Sequence, residues 1–164
     1  MDRAAQAAAP LDGDRALALA LPLERGADAA LLATRVVVGA FLVHGVWDNI
    51  VSAERMTEFA GFLRLHGFAA PEFMAPLSVY AQFLVGLSFV LGLGVRWAGL
   101  VCAFNFTVAV AMVDAKLGVR GTFPATALIL FGLLFATMAA RRWSLDRFVS
   151  GAAAKPRRRT KPRG

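Results

Sequence analysis

One cysteine and two histidines in 164 residues remove several chemistries at once. A lone Cys102 cannot close an intramolecular disulfide, which excludes a membrane dithiol oxidoreductase of the CxxC type. His66 lies in a polar loop and His44 in an apolar segment, so a bis-histidine haem at membrane depth lacks its second ligand. The chain has neither a glycine-rich phosphate loop nor a nucleophile elbow. A metal centre built from His44, Asp48 and Asp114 has no supporting ligand spacing, and no metal is expected. The polar stripes that solvate a soluble four-helix bundle are also scarce.

What the chain has in quantity is hydrophobic residues, 58% of it. Apolar runs at about 29–51, 73–93, 95–115 and 122–140 each approach the roughly 20 residues that a spanning helix needs. The expected fold is all-α and integral to the membrane, with four transmembrane helices in an antiparallel bundle. Only Gly92 to Arg96 separates the second and third spans, and Gly86, Gly92, Gly94 and Gly99 would let those two helices approach closely. Between the first two spans, Met56, Phe59, Ala60 and Leu63 follow the i, i+3, i+4, i+7 spacing, with Gly67 as a stop. That pattern predicts a short amphipathic helix in the first outer loop, which caps the bundle in preference to acting as an active lid. Pro71 and Pro76 suit the start of the second span, where a missing backbone donor does no harm.

Lys and Arg set the orientation. Arg3, Arg15, Arg25, Arg96, Arg141, Arg142 and the basic C-terminal run fall on one side, and Arg55, Arg64, Lys116 and Arg120 on the other. Both termini are therefore expected in the cytoplasm of a plasma membrane, and an arginine- and alanine-rich composition fits a bacterial one. Arg35, near the cytoplasmic face, is expected to snorkel to the headgroups. Residues 1–28 read as a cytoplasmic extension rather than a cleaved signal, because Asp2, Asp12 and Asp14 interleave with the arginines and Pro22 and Glu24 cut the apolar run short. Residues 149–164 read as a disordered basic cytoplasmic tail that carries most of the net charge of +7. Contact with anionic lipid accounts for that tail more economically than nucleic acid does.

A charged group at membrane depth costs at least roughly 2.5–3.5 kcal/mol, so the polar residues inside the spans mark where to look. His44, Gln82 and Asn105 lie roughly 10, 13 and 15 Å below the outer surface at 1.5 Å per residue, in one layer. Asp48, Ser78, Tyr80, Asp114, Thr122 and Thr126 lie above that layer, and the cytoplasmic halves of the spans are nearly bare of such groups. If the helices bundle with these residues inward, they form a polar cavity open to the outside and sealed below. His44 and Asp48, at i, i+4, can share a hydrogen bond that orients the imidazole as a proton acceptor or donor for a redox substrate. Ser78 and Gln82 repeat that spacing. Ser78, Gln82, Asn105, Thr122 and Thr126 also fit a plainer role, joining helices by interhelical hydrogen bonds.

Arg35, the Phe41-Leu42-Val43-His44-Gly45 run, Gly67 with Pro71, Gly86, Gly92 with Arg96, and Trp143-Ser144-Leu145-Asp146 occur in an order and spacing that resembles the DoxX family of small four-span membrane proteins. The resemblance covers about residues 30–148 and supports His44 and Gly45 as matched positions. It implies a membrane component of an oxidoreductase system linked to quinones, thiosulfate or oxidative-stress defence. Two departures stand out: Asp48 where many relatives carry lysine, and Gln82 where many carry an acidic residue.

Two functions fit these residues. In the first, the pocket of Gly45, Ser78, Gln82, Asn105, Asp114 and Thr126 holds a quinone-like or small sulfur substrate. His44 and Asp48 handle protons there, and soluble or membrane oxidoreductase subunits supply the electron-transferring cofactor, none being bound by this chain. In the second, the protein is a non-catalytic scaffold whose tail and Trp143 to Phe148 segment dock partners. A small-solute transporter ranks third, because no inverted repeat is evident between the halves.

Overall fold

The computed structural model describes residues 13–114 and 117–138, with side chains from residue 26 onward. Among them the chain forms α1 (Gly13–Val51), α2 (Ala53–Leu65), α3 (Pro71–Leu91), α4 (Val95–Met112) and α5 (Gly118–Met138), with no strand. Four segments are long and apolar enough to cross a membrane: Gly26–Val51 of α1 and the whole of α3, α4 and α5. The protein is an all-α membrane bundle, and the spans fall where the apolar runs place them. The largest offset at a span's start is in α5, which begins at Gly118 rather than 122. Gly118 takes a left-handed conformation at φ +70°, and its carbonyl accepts from the Thr122 hydroxyl at 2.9 Å. The basic tail, the Trp143 to Phe148 segment and Lys116 lie outside the described residues. The helix of the first span runs back without a break to Gly13, through part of the expected extension.

The amphipathic α2 forms as its sequence predicts. The Ser52 hydroxyl caps it by accepting from the Arg55 N–H at 3.3 Å, and Glu54 and Arg64 occupy the ends that suit their charges. Gly67, at φ +78°, ends it. The Gly67 N–H bonds to the Arg64 carbonyl and the Phe68 N–H to the Leu63 carbonyl, both at 3.1 Å, which is the Schellman arrangement. The buried Ala60 and Leu63 pack on Ala75 of α3, with Met56, Phe59 and Phe68 around them. An ion pair from Arg64 to Glu72 ties the end of α2 to the start of α3.

The spans assemble as two intimate pairs, α1 with α3 and α4 with α5. In the first, Gly39 and Gly86 face each other, and a Cβ on either would lie 2.7 Å from the other's carbonyl oxygen. In the second, Gly99 and Gly132 do the same, a Cβ on Gly132 meeting the Gly99 carbonyl at 2.6 Å. Only glycine permits these crossings. The expectation that Gly86 and Gly99 draw the second and third spans together is therefore corrected: each glycine serves a different partner helix. The α3 and α4 helices touch less closely, and α1 barely meets α5.

One apolar core joins the pairs in the half of the bundle remote from α2. Val38 and Leu42 of α1, Val85 and Phe89 of α3, Val95, Ala98 and Cys102 of α4, and Leu128 and Phe135 of α5 form it. Phe89 and Phe135 meet edge to face at 4.8 Å across the two pairs. Arg35 joins the inner face of α1 at 6% exposure, so it does not snorkel outward to the headgroups. At the α2 end the described residues form no such shared core, and α3 and α4 part.

Candidate functional site

Where α3 and α4 part, a cavity of about 670 Å³ opens beneath α2. Phe59 and Phe62 of α2 and Phe68 of the following turn overhang it, and Phe104 and Phe106 of α4 flank it. Most of the wall is apolar. Leu77 and Phe104, 51% and 72% exposed, stand at its edge, so it opens sideways toward the surrounding lipid as well as under the α2 roof. This differs from the polar, outward-facing cavity that the sequence suggests.

Apart from Asp114 at the rim, the side-chain polarity is concentrated in one patch. The Ser78 hydroxyl of α3 donates to Oδ1 of Asn105 on α4 at 2.9 Å, and Gln82 Nε2 donates to the Ser78 oxygen at 3.1 Å. Ser78 and Gln82 are one helical turn apart, as the i, i+4 spacing implies, and the bond to Asn105 bridges the looser α3–α4 contact. The chain Gln82, Ser78, Asn105 leaves the Gln82 amide oxygen and the Asn105 amide N–H groups without a partner among the described residues. An unpaired acceptor and unpaired donors in an apolar wall are ready for a ligand with both complements. Asp114, half-buried at the end of α4, lines the rim. Its backbone carbonyl accepts from Thr122 Oγ1 at 2.9 Å, fixing the start of α5 against it.

The remaining candidates lie elsewhere. His44 and Asp48 are exposed on α1, on the side away from the seam of Arg35, Val38, Gly39, Leu42 and Val46, and neither lines the cavity. Among the described residues no hydrogen bond joins them. Gly45 beside them is open on its side-chain face, with nothing within 4 Å of where a Cβ would stand. Thr126 spends its hydroxyl on the Thr122 carbonyl of its own helix at 2.9 Å, and Tyr80, two residues from Ser78, faces outward at 50% exposure. The layer of polar groups is thus divided: Ser78, Gln82, Asn105 and Asp114 meet at the cavity, while His44, Asp48, Gly45 and Thr126 do not. Among the described residues, no three of His, Cys, Asp and Glu are grouped to hold a metal ion.

The cavity's roof is absent from the sequence reading, which prefers a capping role for α2 to that of an active lid and assigns no cavity beneath it. The signal was there: Phe59 and Phe62 are three residues apart on α2, with Phe68 just past its end, enough aromatic surface for a wall as well as a cap. Phe104, next to Asn105, is the matching aromatic across the gap.

Four apolar helices, a capping amphipathic helix and a lipid-side cavity with a polar patch define a small multi-span membrane protein. The DoxX family profile matches residues 30–115, more than half of the chain. The protein belongs to the DoxX family. No match was found among curated proteins or among solved structures.

Proposed function

We propose that this DoxX-family protein is the membrane subunit of an oxidoreductase system and holds a quinone-like molecule in the cavity under α2. The observation that carries this reading is the Gln82, Ser78, Asn105 chain set in a largely aromatic and aliphatic wall. A quinone ring has a flat apolar face for Phe59, Phe62 and Phe104 and carbonyl oxygens for the Asn105 amide donors. In its reduced form the hydroxyl can donate to the Gln82 amide oxygen, so the patch can serve both oxidation states. The lateral opening suits a ligand dissolved in the bilayer. Asp114, the ionisable group at the rim, is the proton-exchanging group on this reading, and a partner subunit supplies the electron-transferring cofactor. The excess of Lys and Arg at the other end orients the α2 end away from the cytoplasm of a bacterial plasma membrane, with both termini inside.

Titration of the purified protein in lipid nanodiscs with a short-chain quinone tests the reading. Asn105→Leu and Ser78→Ala should each weaken binding by about tenfold, the cost of one buried polar partner left unmatched. His44→Ala should bind as the native chain does. Equal binding by all four proteins would remove the polar patch from ligand recognition.

A further inference from the structure

Among the described residues the outward face of α1 meets no other helix, yet it carries the two ionisable residues of the first span's outer half. Thr34, Val37, Phe41, His44, Asp48 and Val51 succeed one another at spacings of 3, 4, 3, 4 and 3 residues. Val37, Phe41 and Val51 are 67%, 60% and 61% exposed, and His44 and Asp48 are exposed among them. This is the alternation of a coiled-coil seam, on the side of α1 opposite the one that packs on α3. A lipid chain offers His44 and Asp48 no hydrogen bond, whereas a helix with the same seam offers both a donor and an acceptor. We propose that this face is the contact surface between two copies of the chain, closed by reciprocal pairing of His44 in one copy with Asp48 in the other.

The charge pattern selects a second copy over an unrelated protein. A two-fold axis along the membrane normal brings the two seams level, so His44 and Asp48 of each copy stand in adjacent layers, where each imidazole meets the other copy's carboxylate. The pair is self-complementary, and one contact is made twice. Gly45 at the flank adds no side chain to hold the helices apart. The interface lies across α1 from the α3 contact, so the cavity keeps its opening.

Disulfide cross-linking of the full chain in liposomes tests this, with Val37→Cys and Val51→Cys on the seam. Leu84→Cys and Leu130→Cys, 63% and 62% exposed on α3 and α5, serve as equally accessible controls, and the native chain with its buried Cys102 sets the background. Dimers should form at both seam positions and stay at background at both controls. Adding His44→Ala or Asp48→Ala to Val37→Cys should cut the dimer fraction about tenfold in association constant, as expected for losing two interhelical hydrogen bonds. The exchange His44→Asp with Asp48→His should restore it. Cross-linking no higher on the seam than at Leu84, adducts with another protein instead of a dimer, or dimers indifferent to both His44→Ala and Asp48→Ala would each overturn the proposal.

Discussion

Arg35 and His44 stand nine residues apart on α1 and face opposite ways, Arg35 buried in the bundle and His44 exposed on its outside. Nine residues at about 100° each come to roughly half a turn beyond two full turns, so one straight helix cannot turn both groups inward. The bundle takes the arginine. That choice fixes the rotation of α1, sends Asp48 outward with His44, and leaves the cavity to groups on α3 and α4.

The glycine crossings should govern stability. Gly39→Leu or Gly86→Leu must push α1 and α3 apart, and Gly99→Leu or Gly132→Leu must do the same to α4 and α5. Each should destabilise the bundle by about 1–3 kcal/mol, the usual range for overpacking a close contact. Gly61→Leu, at a glycine with nothing within 4 Å of a new Cβ, should cost far less. Thermal unfolding in detergent, followed by helical circular dichroism, ranks the five variants.

The roof should be separable from the bundle. Gly67→Val places a branched side chain at φ +78° and breaks the stop of α2, costing about 1–2 kcal/mol locally. Hydrogen exchange should then rise in Ala53–Leu65 and stay unchanged in α4 and α5. Arg64→Ala, by contrast, removes an ion pair whose side chains are 64% and 63% exposed, and should shift exchange in α2 only slightly.

Orientation has its own readout. A membrane-impermeant thiol reagent applied outside intact cells should label Glu58→Cys on α2 and leave Arg96→Cys, at the far end of α4, unlabelled until the cells are opened. Labelling of both from outside would contradict the four-span arrangement together with its sidedness.

Much of this was legible in the residues. Span positions follow from apolar runs, α2 from its four-residue stripe ahead of Gly67, and the Ser78–Gln82 contact from a spacing of one turn. Depth also placed Asn105 level with Gln82, and they do meet at the cavity. What depth cannot give is rotation. His44 shares that layer but points away, because the face of α1 is chosen by Gly39 against Gly86 and by Leu42 in the core, contacts between residues distant in sequence. The partners of Gly86 and Gly99 were hidden for the same reason: a glycine shows that a helix can come close, and only the fold shows which one does. The aromatic roof needed the α2–α3 contact before Phe59 and Phe62 could be read as a wall.

The most direct test of the account is photolabelling of the protein in native membranes with a lipid-soluble quinone that carries a photoreactive group, followed by mapping of the modified residues. Adducts should fall on Phe62, Met74 and Phe104 around the cavity and should diminish with Asn105→Leu. Adducts on the Phe41 to Asp48 face of α1 instead, or cavity labelling that ignores the Asn105 substitution, would contradict it.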